Sequence, residues 1–424
     1  MGQDTVVTAR SFRRDGLPEN RAVSPFGVLL VGNFLSTARP GSSTVCELLA
    51  RRLSSAGWPV LTTSDKSARL SRLADMLRTI WRRRNEYAVA QVDVYSGPSF
   101  IWAESVCWLL GRLRKPFVLT LHGGNLPAFA RRWPGRVRRL LNSASAVTTP
   151  SRYLQEALGT YCDDLLLLPN AIDLNLYPFR LRSHAQPKLI WLRAFHNIYN
   201  PCMAARAVAH LLEMENLRPL ASSASGSQPS TLNHQLHSAP SSPVASSSVV
   251  SASSPSDLRS PISDLRLAMF GPDKGDGSLE RVRSEVKRLG LERRISLPGF
   301  VSKTQVPTAL NSGDIFLNTT NVDNTPVSVI EAMACGLCVV STNAGGIPYL
   351  LRDKEDALLV PLNDAPAMAN AIHSIVAEPS LAARLSRNAR GKAEKFDWSV
   401  VLPQWERLFA LANDPVPPCS PSET

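Results

Sequence analysis

Between Asp323 and Leu350 the sequence reads DNTPVSVIEAMACGLCVVSTNAGGIPYL, with Glu331 eight residues after Asp323. Asn324 or Thr325 can cap a helix that begins at Pro326, a position where a missing N–H costs nothing. VSVIEAMAC continues the helix and Gly336 suits its exit. The free amides at such a helix start, with the helix dipole behind them, favour an anion such as a diphosphate. Glu331 falls about a turn and a half inside, at a rise of roughly 1.5 Å per residue. A carboxylate there can accept two vicinal hydroxyls of the kind a ribose offers. Its neighbours are nearly all apolar, and an acid among them needs a partner. Asp323 stands in the loop before the helix, farther out, near whatever lies beyond the phosphates. One element could thus hold a nucleotide sugar from ribose to sugar.

Such a segment needs strands to deliver it and a second wall to close the site. FGVLLVG (26–32) reads as a buried strand, and PVLTTS (59–64), AVAQVDVYSG (88–97), PFVLTLHGG (116–124), SAVTTPS (145–151) and DLLLLPNAID (164–173) as further strands. Helical stretches separate them, one opened by a Thr44–Glu47 capping box. PKLIWLRAF (187–195) starts a second alternating series, resumed at LRLAMFG (265–271), RISLPGF (294–300), DIFLNTT (314–320), LCVVSTN (337–343) and ALLVPL (357–362). Alternating strands and helices specify parallel sheets wrapped on both faces. The fold class is α/β, with two similar domains facing across a cleft.

The expected divisions are a loose segment at 1–24, a first domain at 25–180, a second at 181–397, and a C-terminal helix and tail at 398–424 with Trp398, Trp405, Leu408 and Phe409 available to bury. Residues 218–263 are dominated by Ser, Ala and Pro, cannot bury enough surface to offset their ordering entropy, and read as a disordered insertion in the second domain. Ligands of parallel sheets bind beyond the carboxyl ends of the strands. Gly32, His122, Arg193, Gly271 and Asp323 all fall there.

Composition narrows the classes. No apolar run reaches the roughly 18 residues of a spanning helix, and the polar opening MGQDTVVTARSFRR predicts a cytoplasmic protein. Cys335 and Cys338 form a C-x-x-C, but one ends an apolar helix and the other starts an apolar strand, so both read as core residues. The formal charge of +12 allows anionic lipid, phosphorylated small molecules or nucleic acid, and no nucleic-acid-binding motif accompanies it. Residues 67–84, SARLSRLADMLRTIWRRR, place Leu70, Leu73, Leu77, Ile80 and Trp81 near one helical face among arginines, and 130–139, ARRWPGRVRR, is a second basic run. Two readings stand for these: docking on an anionic membrane surface at the inner face of the membrane, or packing on the domain's own sheet.

The segment from Asp323 resembles the carboxyl-terminal signature of the retaining glycosyltransferases of family 4, which have the GT-B fold. TLHGGN, TTPSRYL, LPNAID, the Arg after the second domain's first strand and LPGFVS extend the likeness over most of the chain, outside the insertion and termini. The resemblance implies two Rossmann-like domains, and transfer of a sugar from a nucleotide-diphosphate donor to a glycan or lipid-linked acceptor, with no metal and no cofactor. It implies that Glu331 binds ribose, that Asp323 and His122 flank the donor sugar, and that Arg193 binds phosphate. Asn324, Thr325, Val327 and Ser328 would meet sugar and phosphate oxygens, Phe300 and Val301 would lie by the base, and Gly32 would let the first loop approach the diphosphate. Two departures stand out. Ile198 occupies the place of the family's second phosphate cation, so that either His196 or another cation compensates or diphosphate neutralisation is weaker, and Asp323 replaces the more usual Glu. A nucleotide-sugar epimerase or phosphorylase on the same architecture, a nucleotide-sugar-binding module without turnover, and a nucleic-acid binder are the competing readings.

Overall fold

The computed structural model describes residues 25–34, 44–66, 68–216 and 262–414. The predicted loose N-terminal segment, nearly all of the predicted insertion and the last ten residues lie outside them.

In the first domain, β1 (Val28–Val31), α1 (Val45–Ser55), β2 (Val60–Thr63), α2 (Arg69–Arg82), β3 (Val89–Val94), α3 (Phe100–Arg112) and β4 (Phe117–Leu121) follow in order. Then come α4 (Leu126–Arg132), α5 (Pro134–Leu141), β5 (Ala146–Thr149), α6 (Arg152–Leu158) and β6 (Leu165–Leu167). The second domain runs β7 (Lys188–Leu192), α7 (Pro201–Asn216), β8 (Arg266–Phe270), α8 (Ser278–Arg288), β9 (Ile295–Gly299), α9 (Val306–Asn311), β10 (Ile315–Asn318) and α10 (Val327–Ala334). It closes with β11 (Cys338–Thr342), α11 (Ile347–Leu350), β12 (Ala357–Val360), α12 (Ala365–Ala377), α13 (Pro379–Ala393) and α14 (Trp398–Asn413).

Each strand series forms one six-stranded parallel sheet, in the orders β2-β1-β3-β4-β5-β6 and β12-β11-β10-β7-β8-β9. Their strands are mostly apolar because helices cover both faces, as parallel sheets require, while the edge strands β2 and β9 are partly exposed. The orders fix where ligands can enter. The chain winds away in opposite directions from β1 and β3, and again from β7 and β10, so a crevice opens beyond each pair. Gly32 and Asp93 lie at the first crevice; Arg193 and Asp323 lie at the second.

The predicted capping box forms. The Thr44 side chain accepts from the Glu47 amide at 3.3 Å, and Glu47 Oε2 accepts from the Thr44 amide at 2.9 Å. Cys335 and Cys338 are fully buried in cores on opposite faces of the second sheet, and burial pushes both thiols up to about 12. They are core residues, as their context in the sequence implies.

Two elements find neighbours that their sequence patterns left open. α14 buries Trp398, Trp405, Leu408 and Phe409, but against α1 and the first sheet. The Trp58 indole donates to Glu406 at 2.9 Å, so the last helix belts the two domains together. In α2 the expected apolar stripe divides: Ile80 is buried beside Met76 and Arg72, while Leu70 and Trp81 face solvent at 85% and 53% exposure. Arg72 takes a core-facing place because the Lys66 carbonyl and the Asn33 side chain accept its N–H groups, each at 2.7 Å.

Candidate functional site

α10 begins one residue later than the sequence suggests. Pro326, at φ −70° and ψ 114°, is the cap, and Val327 is the first helical residue. Its fixed φ suits either position, but the extended ψ keeps it outside the helix. The Pro326 carbonyl accepts from Val329 at 3.1 Å, and the amides of Val327 and Ser328 precede that first bond.

At the switch point between β7 and β10, Arg193 and Asp323 form an ion pair. Asp323 also accepts from the Asn324 amide at 2.8 Å. The Arg193 guanidinium lies 4.1 Å from the Tyr199 ring centroid, a cation–π contact. Two buried polar atoms here have no hydrogen-bond partner among the described residues: Arg193 Nε and Ser328 Oγ. A buried donor without an acceptor is costly. Ile198 is half-buried in the turn after Arg193. His196 is engaged on both ring nitrogens: its Nδ1 accepts from the Ile198 amide at 3.2 Å and its Nε2 faces Asp276 at 3.8 Å. Asp276 is itself held down to about 2, chiefly by the hydrogen bond it accepts from the Asn197 amide.

Glu331, just over one turn into α10, is 3% exposed. Tyr177 donates to Glu331 Oε1 at 2.6 Å, and Lys303 pairs with the same oxygen. Burial, and then the Glu331 charge, push the Tyr177 hydroxyl far above the usual phenol value, so it remains a donor at every relevant pH. Neither partner was visible in the sequence, since both come from distant loops that only the closed fold brings to α10. Phe300 is exposed and Val301 half-buried in the loop after β9, which also carries Lys303.

The first domain supplies the opposite wall. His122, beyond β4, is buried; its Nε2 lies 3.1 Å from Asp93 Oδ1 and its ring stacks on Tyr95 with centroids 5.2 Å apart. Gln91 donates to the same Asp93 oxygen at 2.8 Å. A Cβ on Gly32 would stand 2.7 Å from Asp93 Oδ2 and 2.8 Å from Cys46 Sγ, so only glycine fits there. Asn324 and Thr325 reach across to this wall: Ser151 Oγ donates to Asn324 Oδ1, and Thr325 Oγ1 donates to the Pro150 carbonyl at 3.1 Å. Their side chains therefore clasp the TTPS loop. Gly124 meets the same segment, since its Cβ would lie 3.3 Å from Val322 Cγ2.

Gly271 fixes the floor of the second-domain crevice. It has φ +152°, and an added Cβ would sit 1.7 Å from the Arg193 carbonyl oxygen. Gly271→Ala is expected to destabilise the protein by about 3 kcal/mol or more, through the combined clash and backbone strain. Chemical denaturation reads this directly; a loss under 1 kcal/mol would show that the two loops can separate without cost.

These features coincide with the comparisons to known proteins. Residues 41–176 match the family described as Glycosyltransferase Family 4, and residues 254–392 match the family described as Glycosyl transferases group 1. The chain belongs to the family 4 glycosyltransferases, with one match on each domain. A D-inositol 3-phosphate glycosyltransferase of Rhodococcus opacus is 29% identical over 143 residues, which is 33% of this chain and 32% of the relative. A phosphatidyl-myo-inositol mannosyltransferase of Mycobacterium leprae is 30% identical over 137 residues, 32% of this chain and 36% of the relative. These matches span about a third of the curated relatives' lengths. Among solved structures, sucrose-phosphate synthase from Thermosynechococcus elongatus aligns over 91% of this chain and 98% of its own, with TM-score 0.66 and 16% identity. HepE of Anabaena, in complex with UDP and glucose, aligns over 91% of this chain and all of its own, with TM-score 0.63 and 16% identity. The two facing domains are thus the GT-B architecture.

Proposed function

We propose that the protein transfers a sugar from a nucleoside-diphosphate donor to a glycan or lipid-linked acceptor, with retention at the anomeric carbon and without a metal. One observation carries the reading: the partnerless Arg193 Nε and Ser328 Oγ sit with the first amides of α10 at the switch point, a set of donors matched to a diphosphate. Glu331 then receives the ribose hydroxyls. Phe300 and Val301 border the base, Gly32 lets the first loop close on the phosphates, and His122 and Asp323 flank the sugar.

In the chemical step the bond from the anomeric carbon to the diphosphate oxygen breaks, and negative charge grows on that oxygen. Arg193 and the amides of Val327 and Ser328 stabilise this charge where it develops, the commonest large contribution an active site makes. The acceptor hydroxyl attacks from the same face, and its proton passes to the departing phosphate. Asp323 is held by Arg193 and by the Asn324 amide, which suits positioning rather than covalent attack. A thermal-shift screen against UDP-, GDP- and ADP-sugars, followed by NMR of the product anomer, tests the proposal. One donor class should stabilise the protein and give a retained product; stabilisation by none, or inversion, would sink it. Isomerised donor in the absence of acceptor would indicate an epimerase instead.

A lipid-linked acceptor draws support from the first domain's outer surface. α2, α3 and α5 cover one face of its sheet. Their exposed Trp81 and Trp108, with Trp133 at the start of α5, each lie under an arginine, Arg84, Arg112 and Arg132, at 5.0, 5.3 and 5.7 Å. Tryptophans interleaved with arginines suit the interface of an anionic bilayer, where each basic residue near the surface contributes about 1 kcal/mol. No described helix is long and apolar enough to cross a membrane. Co-sedimentation should favour vesicles containing anionic phosphatidylglycerol over neutral ones by about tenfold or more, and Trp81→Ser with Trp108→Ser should reduce that binding. Equal sedimentation with both vesicle types removes the membrane reading.

A further inference from the structure

The first domain holds a cavity of about 280 Å³ at the carboxyl ends of β1 and β3, lined by Gly32, Asn33, Arg72, Asp93, Tyr95 and Trp102 among others. It lies at the first sheet's switch point, and one of its walls is Asp93, the partner of His122. The cavity therefore adjoins the place where a donor sugar would meet its acceptor.

Arg72 gives this cavity its chemistry. The residue is 7% exposed, yet every hydrogen bond it makes among the described residues goes to a neutral oxygen: Nε to the Lys66 carbonyl and one terminal nitrogen to Asn33 Oδ1, both at 2.7 Å. Its second terminal nitrogen has no partner among the described residues, and no carboxylate there pairs with it. Asp93 accepts from Gln91 at 2.8 Å and faces His122. Other arginines that are withdrawn from water or fixed in place have a carboxylate beside them. Arg182, fully buried, faces Asp314 at 3.4 Å, and Arg136 pairs with Glu104. A guanidinium withdrawn from water with no opposite charge is costly unless an anion comes to it. Burial accordingly holds the Arg72 pKa below the usual guanidinium value. The Trp102 ring, half-buried and 5.6 Å from the Arg72 guanidinium carbon, adds an aromatic face on the cavity wall, suited to the apolar side of a sugar ring.

We propose that this cavity receives an acceptor sugar bearing a negatively charged group, a phosphate or a carboxylate, which Arg72 holds while Trp102 covers the ring. The proposal rests on the transferase reading above and adds the acceptor's charge to it. Neutral polar contacts alone could position a hydroxyl, but they would not compensate a buried cation.

The experiment measures binding by calorimetry with the donor cleft filled by saturating UDP. The probes are hexoses, the matching hexose 6-phosphates, hexuronates and inorganic phosphate. For the wild-type chain, at least one phosphate- or carboxylate-bearing sugar should bind tenfold or more tightly than both its neutral counterpart and inorganic phosphate. Arg72→Met should abolish that preference, leave UDP binding within twofold of the wild type, and raise the ligand-free Tm by about 2–4 °C through loss of the unpaired charge. Arg72→Lys should keep a weakened preference. Trp102→Leu, which retains the cation, should narrow the gap between the charged sugar and inorganic phosphate, and it serves if Arg72→Met does not fold. Equal binding of charged and neutral sugars overturns the proposal, as does inorganic phosphate binding as well as any sugar phosphate, or a preference that survives in Arg72→Met. If the wild-type chain fails to bind any nucleotide or nucleotide sugar, the transferase reading itself fails, and the two failures are thereby distinguished.

Discussion

Replacing Arg193 by methionine is expected to lower kcat by about 10²–10³-fold, the loss seen when one preorganised donor to a developing oxyanion is removed. The expected size follows from what surrounds this arginine. Ile198 occupies the position at which the resemblance would place a second cation, and His196 is turned toward Asp276. Arg193 is therefore the principal side-chain cation at the β7–β10 switch point, and the amides of Val327 and Ser328 are its nearest help. Tyr199 stacks on its guanidinium and Asp323 pairs with it, so the group is oriented before any ligand arrives. Preorganisation of this kind acts on the transition state more than on ground-state binding, so kcat should fall more than KM rises. Arg193→Lys should recover only part of the loss, because an ammonium lacks the planar fork that meets two phosphate oxygens. Steady-state kinetics of the three proteins decide the matter. If kcat is unchanged in Arg193→Met, the diphosphate is not neutralised at this residue.

The sequence made the two sheets legible because parallel strands buried on both faces read as near-continuous apolar runs, and a run such as FGVLLVG or LCVVST has few other uses. Local chemistry was legible as well: the Thr44–Glu47 cap and the helix start near Pro326 are decided within a few residues. What stayed hidden depends on contacts between distant parts of the chain. The aromatic stripe of α14 announces burial but not its partner, and it packs on the first domain rather than the second. Helical spacing put Leu70 and Trp81 on one face of α2 with Ile80 and left open whether that face met a membrane or the sheet, whereas in the fold the Asn33 side chain and the Lys66 carbonyl draw Arg72 inward and both Leu70 and Trp81 face solvent. Asn324 and Thr325 read as helix caps or ligand contacts; only the assembled cleft reveals Ser151 and the Pro150 carbonyl as their partners.

Glu331→Ala should lower kcat/KM by about 10²–10³-fold, since two hydrogen bonds to a charged acceptor are worth roughly 1.5–3 kcal/mol each before compensation by water. The geometry makes this more specific. Lys303 and Tyr177 both engage Oε1, which leaves Oε2 free among the described residues to accept from a ligand. A carboxylate offers about four lone-pair sites, so ribose hydroxyls can be added without expelling either partner. Lys303 and Tyr177 then fix the plane of the carboxylate, and Lys303→Met should raise the donor KM by about tenfold while changing kcat little, as expected for a residue that positions another. The ribose assignment is best tested by pairing Glu331→Gln with donors lacking the 2′- or 3′-hydroxyl. Each change alone should cost about tenfold or more, and the two together should cost little beyond the larger one, because both delete the same contact. If the deoxy donors remain as handicapped in the variant as in the wild type, Glu331 does not hold the ribose. The electrostatic role left to it would then be to keep Lys303 beside the cleft, a role that Glu331→Gln would weaken for every donor alike.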